Sequence, residues 1–132
     1  MVNQPVYIAA SLLAVLGMIS FTASGHFSVF AQGSDVKVSI VSGGSTLADK
    51  AYSPNPVQAT VGQKVIWTNM DSVQHTVTSG TPGSADSGKE FDSGLTKLLN
   101  HGDTFEHTFT KAGDYPFYCQ LHPTMLGHVI VK

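Results

Sequence analysis

The chain has 132 residues, which is the size of one domain with a substantial buried core, and this length excludes two catalytic domains. Its seven basic residues are all lysines and are outnumbered by nine Asp plus Glu residues, so the formal net charge is -2. This charge has the wrong sign for a nucleic-acid-binding protein, and the sequence contains neither a basic arm nor a phosphate-binding patch.

The chain begins with an uncharged segment, since its first charged residue is Asp35. The apolar run VYIAASLLAVLGMIS (6–20) lacks the alternation of a β-strand, and the small residues of SVFAQGSD follow it. This pattern is typical of an export signal that is cleaved after Ala31. A buried helix of the globular domain is disfavoured by the length of the segment and its lack of a polar face.

The same segment also fits an uncleaved membrane anchor. No Lys or Arg lies near the start, and semi-apolar sequence continues to Phe30, which is long enough to span a bilayer. We therefore predict that residues 1–31 are a signal peptide or a membrane anchor through residues 6–31. Either function places residues 32–132, the predicted domain, outside the cytoplasm, in a periplasm-like space or at the cell surface.

From Gln32 onward the sequence consists of short β-branched and aromatic segments separated by turn residues. Strands are predicted at 36–42, 57–61, 64–69, 75–79, 103–110, 113–119 and 127–132. The Gly-, Ser- and Asp-rich stretch at 79–95 predicts a long surface loop that leads into a short edge strand around Phe91. Seven or eight strands at this spacing predict an all-β Greek-key sandwich.

Alternation along the predicted strands assigns their faces. Phe105, His107 and Phe109 lie on one side of their strand, while the Thr and Glu residues between them lie on the other. Val65 and Trp67 are predicted to face the interior of the sandwich.

The only cysteine of the chain, Cys119, ends an apolar strand, and His122 and Met125 follow it in the segment CQLHPTM. A single Cys cannot form a disulfide within its own chain, so it is a buried free thiol, an intermolecular bridge, a nucleophile or a metal ligand. A nucleophilic role is disfavoured, because neither an oxyanion hole nor a third catalytic residue can be identified.

The neighbours of Cys119 favour a metal site. Thiolate, imidazole and thioether groups close together form a soft ligand set, which favours copper over calcium and magnesium. Zinc is the rival metal, but a thioether is a poor fourth ligand for a tetrahedral structural zinc site.

A further strong ligand must come from elsewhere in the chain, and the candidates are His75, His101, His107 and His128. His75 is the best placed, because it opens a predicted strand after the turn NMDSVQ and can be held at one end of the sandwich. His101 lies in the polar turn NHGD, where a solvated histidine is expected. His107 shares a strand face with two Phe residues and is expected in the core. His128 is expected either to be exposed or to contact a metal ligand without binding the metal itself.

The segments VIWTNMDSVQHTV and AGDYPFYCQLHPTMLGHVIV resemble the cupredoxins, the small blue copper proteins, in their plastocyanin and amicyanin branch. The resemblance extends over about residues 35–132 and implies one type 1 copper ion. By position, His75, Cys119 and His122 correspond to the equatorial ligands, and Met125 corresponds to the weak axial ligand. Three further residues, Asn69, Thr76 and Phe117, are predicted to lie next to the ligands without binding copper and to adjust its reduction potential.

The resemblance implies an electron carrier rather than an enzyme. Such a protein moves single electrons between redox partner proteins through Cu(I) and Cu(II), and the partners dock at the edge of His122. In this chain Leu121, Pro123 and Leu126 are expected to form the apolar docking patch. The mild negative charge predicts transient, salt-sensitive docking.

One departure from the family pattern motivates an alternative function. Two residues separate His122 from Met125, as in the short amicyanin-like loop, and relatives with this loop commonly place a bulky aromatic residue between the Pro and the Met. This chain has Thr124 there. A smaller residue leaves the copper less shielded, so the alternative is an open-site copper oxidoreductase that acts on a small inorganic molecule such as nitric oxide. In that case Met125 coordinates weakly or not at all.

Copper storage or delivery is a third function, and the composition disfavours it. Proteins of that class usually offer many thiols or thioethers, whereas residues 32–132 contain one Cys and two Met, namely Met70 and Met125.

Overall fold

The computed structural model describes residues 33–132, which form a two-sheet β-sandwich. The strands in this part of the chain are β1 (Val36–Ile40), β2 (Tyr52–Ser53), β3 (Val57–Ala59), β4 (Lys64–Asn69), β5 (Thr78–Ser79), β6 (Thr104–Thr108), β7 (Gly113–Tyr118) and β8 (Leu126–Val131). Two short 3-10 helices, Gly44–Thr46 and Ala48–Lys50, lie between β1 and β2. The predictions for residues 1–31 fall outside the described residues.

One sheet has the strand order β2-β1-β4-β6, and the other has the order β3-β8-β7-β5. Two pairs are parallel, β1 with β4 and β3 with β8, and the remaining pairs are antiparallel. The predicted all-β sandwich is therefore confirmed, with two mixed sheets. Among residues 33–132 no helix has the length and apolar character needed to cross a membrane.

The parallel pairing of β1 and β4 positions the loops that matter below. Ile40 and Asn69 lie opposite each other at the ends of these strands, and the Met70 N–H donates to the Ile40 carbonyl at 2.9 Å. The chain therefore leaves both strands at the same end of the sandwich. The 3-10 helix Gly44–Thr46 follows β1 there, and the turn that leads to His75 follows β4.

The core lies between the sheets, because alternate residues of each strand point inward. Val65 and Trp67 are fully buried, as predicted, and the Trp67 ring packs edge to face against Phe117 at a centroid distance of 5.4 Å. The predicted faces of β6 are also confirmed. His107 is half-buried and lies 5.0 Å from the Phe91 ring, while the intervening Thr and Glu side chains are exposed.

The structure differs from the predicted strands in three places. The two-residue strand β2 was not predicted, and it exists because Ser53 pairs with Ser39 of β1. The strand predicted at 75–79 is reduced to β5, and His75 forms only an isolated bridge with Leu99.

The predicted edge strand around Phe91 does not form a regular ladder. Instead, the Ser79 N–H donates to the Phe91 carbonyl at 2.9 Å, and the Phe91 N–H donates to the Ser79 hydroxyl at 3.1 Å. A side-chain acceptor therefore replaces one rung of the sheet.

Candidate metal centre

Three side chains with metal-binding atoms converge at one end of the sandwich. His75, Cys119 and His122 each offer one ligand atom, and these atoms lie within 4.8 Å of one another. The Cys119 Sγ atom is 3.6 Å from Nδ1 of His75 and 3.7 Å from Nδ1 of His122. Two such ligands bonded to one ion at about 2.0–2.3 Å, with a near-tetrahedral angle, are roughly 3.6 Å apart. The donor set and its spacing therefore fit a single metal ion.

Cys119 directly follows β7 and is fully buried. Burial by itself raises the pKa of the thiol, but hydrogen bonds from His75, from backbone N–H groups and from His122 outweigh it and lower the pKa to about 6. One of those backbone donors is the Thr76 N–H, which lies 3.4 Å from Sγ. The sulfur is therefore a thiolate at neutral pH, which is the form that binds metals.

Two tight turns shape the segment from Cys119 to Met125. The His122 N–H donates to the Cys119 carbonyl at 3.2 Å, and the Met125 N–H donates to the His122 carbonyl at 2.9 Å. His122 remains half-buried, whereas the Met125 side chain is fully buried and Thr124 is exposed. A Cβ atom added to Gly44 would lie 3.4 Å from Cε of Met125, so the thioether packs against the 3-10 helix that follows β1.

His75 is held through its backbone and through its ring. Its N–H and carbonyl group both bond to Leu99, at 3.2 and 2.9 Å. Its Nε2–H donates to Oδ2 of Asp71 at 2.9 Å. Burial lowers the pKa of His75, but hydrogen bonds with Cys119 and Asp71 outweigh that effect and raise it. Since Asp71 holds the Nε2 proton, Nδ1 is the ring nitrogen that faces Cys119, and it must give up any proton of its own when it binds a metal.

Asp71 is the residue of this region that the sequence interpretation misses. Burial raises the pKa of its carboxyl group, but the hydrogen bond from His75 and those from the Gly43 and Ser72 backbone outweigh this effect and lower it. The carboxylate is therefore ionised. The available signal was an acidic residue four positions before His75 in the polar turn NMDSVQ, where an exposed side chain is the ordinary expectation.

The three residues predicted to tune the site lie close to it. The Asn69 amide donates to the carbonyl groups of Val73 and Leu99 at 2.9 and 2.8 Å, which fixes the turn before His75. Thr76 donates its N–H to the thiolate. Phe117 is buried two residues before Cys119.

The structure does not bring the other candidate histidines into the cluster formed within residues 33–132. His101 is exposed, as predicted for a polar turn. His107 packs edge to face against Phe109 at 4.8 Å, but it is half-buried rather than in the core as predicted, and its Nε2 lies 3.4 Å from Glu90. His128 is exposed and lies 2.9 Å from Asp114.

Comparisons with known proteins agree with this geometry. Residues 35–132 match the model of the copper binding proteins of the plastocyanin/azurin family. Amicyanin from Paracoccus denitrificans is 28% identical over 88 residues, covering 65% of this chain and 62% of amicyanin. The minor chloroplastic isoform of plastocyanin from Arabidopsis thaliana is 33% identical over 95 residues, covering 67% of this chain and 55% of plastocyanin. The chain thus spans less than two thirds of the length of either relative.

A solved structure covers the same region of this chain. A purple cupredoxin from Nitrosopumilus maritimus is 35% identical and has a TM-score of 0.60, and the match covers 74% of this chain and 100% of that one.

Proposed function

The chain belongs to the plastocyanin/azurin family of copper-binding proteins, and from this premise we propose that it carries single electrons between redox partner proteins. His75, Cys119 and His122 are the proposed equatorial ligands of one copper ion, and Met125 is the proposed axial ligand. The observation that carries the proposal is the cluster of one thiolate and two imidazole nitrogens within 4.8 Å. Copper bound there supplies a centre that gains or loses one electron between Cu(I) and Cu(II).

The contribution of the protein is to keep the donor atoms fixed. The backbone of His75 is tied to Leu99 and its ring to Asp71, while the Thr76 N–H holds the sulfur of Cys119. Donor atoms that are fixed by a sheet and by buried hydrogen bonds change position little between redox states. A small rearrangement favours rapid electron transfer.

The proposed route for electrons is the exposed edge of His122. Around it the segment from Leu121 to Gly127 contains no charged residue, and Leu121 and Leu126 are 41% and 42% exposed. An apolar patch of this kind permits close approach of a partner protein without the cost of desolvating charges. The net charge of -2 makes the encounter sensitive to salt.

We also propose that residues 1–31 direct the chain out of the cytoplasm, as a cleaved signal or as a membrane anchor, with residues 32–132 as the functional domain. Support comes from the uncharged apolar segment before Asp35. We expect the copper-binding chain in the extracytoplasmic fraction of the expressing cell. Mass spectrometry distinguishes the two routes: a mass that starts at Gln32 indicates cleavage, and a full-length mass in the membrane fraction indicates an anchor. Full-length chain in the cytoplasm contradicts both.

A second candidate function is an open-site copper oxidoreductase that acts on a small inorganic molecule such as nitric oxide. The observation that favours it is the exposed Thr124, where short-loop relatives commonly have a bulky aromatic residue. The related structure from Nitrosopumilus maritimus is described as purple, and we infer from this that a site of this sequence type need not have the blue colour of a carrier.

Visible and electron paramagnetic resonance spectra of the Cu(II)-loaded chain test both candidates. For the carrier we expect a dominant thiolate band in the red region, a small copper hyperfine splitting, no response to added nitric oxide, and uptake of one electron per chain in a redox titration. Absence of an intense thiolate band contradicts both candidates.

The open site has a different signature in the same experiment. Its band lies at shorter wavelength and changes when nitric oxide is added, and Thr124→Phe suppresses that response. Thr81→Phe is the matched control, because it makes the same change at an exposed position in the loop after β5. If the spectrum of the Thr124→Phe variant still changes when nitric oxide is added, the small side chain of Thr124 is not what gives nitric oxide access to the copper.

A further inference from the structure

A buried carboxylate contacts the side of the His75 ring that faces away from Cys119. Asp71 is 2% exposed and His75 is 0% exposed, and Oδ2 of Asp71 lies 2.9 Å from Nε2 of His75. Within residues 33–132, His75 is the sole residue whose side chain hydrogen-bonds to this carboxylate. A charge buried without a cationic partner is costly, so its retention requires strong hydrogen-bond donors.

Backbone groups supply those donors. Oδ1 of Asp71 accepts the N–H groups of Gly43 and Ser72 at 3.1 and 2.8 Å. The Asp71 N–H in turn donates to the Asn69 side-chain oxygen at 2.8 Å, which fixes the position of the residue in its turn. Both oxygens of the carboxylate therefore accept hydrogen bonds, two at Oδ1 and one at Oδ2, and these bonds fix its orientation.

We propose that Asp71 is a positioning residue that selects the Nε2–H tautomer of His75 and lowers the reduction potential of the copper centre. The inference rests on the proposed copper site. Because Asp71 can only accept a hydrogen bond, it keeps the proton on Nε2 and leaves the Nδ1 lone pair free on the side of Cys119. Its negative charge, close to the ligand set and shielded from water, stabilises the more positive Cu(II) state over Cu(I).

The same carboxylate connects two sides of the site. Through the Gly43 N–H it binds the start of the 3-10 helix whose residue Gly44 packs against Met125. Asp71 thus links the ring of His75 with the segment that confines the thioether. Loss of the carboxylate therefore affects the positions of both His75 and Met125, although neither of these residues is itself substituted.

The test is the reduction potential of Asp71→Asn in the copper-loaded full chain. Asn has nearly the same shape but no charge, and its NH2 group must face either the two backbone N–H groups or Nε2 of His75. We expect the equilibrium constant for reduction to rise at least about tenfold, which is about 59 mV for a one-electron couple. The matched control is Asp35→Asn, an exposed aspartate just before β1, for which we expect a change of less than about twofold.

Nitrogen-15 NMR of the reduced, diamagnetic protein gives a readout that a merely structural role would not produce. In the wild type we expect a protonated Nε2 on His75 whose proton exchanges slowly with water. In Asp71→Asn that proton exchanges faster or its resonance moves, while the thermal midpoint reports any general loss of stability separately.

An unchanged potential in a folded Asp71→Asn variant overturns the inference. If that variant does not fold, the wild-type spectrum decides: an unprotonated Nε2 on His75 overturns the inference, and a slowly exchanging Nε2–H supports it. Failure of the proposed function has a different signature, which is the absence of thiolate absorption in the copper-loaded wild type.

Discussion

Cys119→Ser abolishes the intense visible absorption of the Cu(II)-loaded chain. That absorption requires a thiolate bonded to Cu(II), and a serine hydroxyl is neither ionised at neutral pH nor a soft donor. Ser is close to Cys in size, and its oxygen can still accept the Thr76 N–H that now points at the sulfur. We therefore expect a folded protein with an unchanged far-ultraviolet circular dichroism spectrum, a lost visible band and weaker copper retention.

The control for this experiment is a histidine outside the cluster. His128→Ala removes an exposed imidazole that contacts Asp114 rather than Cys119, and it should leave the visible band unchanged. Visible absorption and copper content are measured on all three proteins after the same loading. An intense band that persists in Cys119→Ser would show that the thiolate is not the charge-transfer ligand, and the assignment of the site would fail.

Much of the fold could be predicted because strand alternation is a local property. The buried Val65 and Trp67, and the alternating exposure along β6, follow from period-two patterning within one strand. The irregular pairing of Phe91 could not be predicted, because its N–H is satisfied by the hydroxyl of Ser79, a residue twelve positions away. The two-residue strand β2 likewise depends on its partner β1, and its own sequence carries no strand signal.

The proposed site shows the same division between local and distant information. Cys119, His122 and Met125 lie close together in the sequence, so their association is visible as a motif. The choice of His75 among four histidines came from its position at the start of a predicted strand, and the family resemblance then supported it. Asp71 was missed because its burial depends on Gly43, a residue 28 positions earlier, which the parallel pairing of β1 with β4 brings beside it. The sequence of the turn NMDSVQ by itself does not indicate the contact between Asp71 and Gly43.

Gly127→Ala lowers the free energy of unfolding by about 3 kcal/mol, the upper part of the range for overpacked cores. Gly127 of β8 lies opposite Phe117 of β7, and a Cβ atom at Gly127 would lie 2.4 Å from Cζ of the Phe117 ring. The ring has little room to retreat, because it packs against Tyr52 at 4.7 Å and against Trp67 at 5.4 Å. The added methyl group must therefore displace the strand or the aromatic cluster. Urea unfolding of the metal-free protein measures the change.

The chain offers a matched glycine for comparison. Gly113 begins β7, and a Cβ atom there would approach only the Tyr115 side chain, no closer than 3.4 Å, so Gly113→Ala should change stability by less than about 0.5 kcal/mol. If the Phe117 ring is the obstacle, Phe117→Leu combined with Gly127→Ala should cost at least about 1 kcal/mol less than the sum of the single changes. Equal effects at Gly127 and Gly113, or additive behaviour with Phe117→Leu, would mean that strand separation rather than the ring absorbs the methyl group. Glycine at position 127 would then not be required for β8 to pack closely against Phe117, which lies two residues before Cys119.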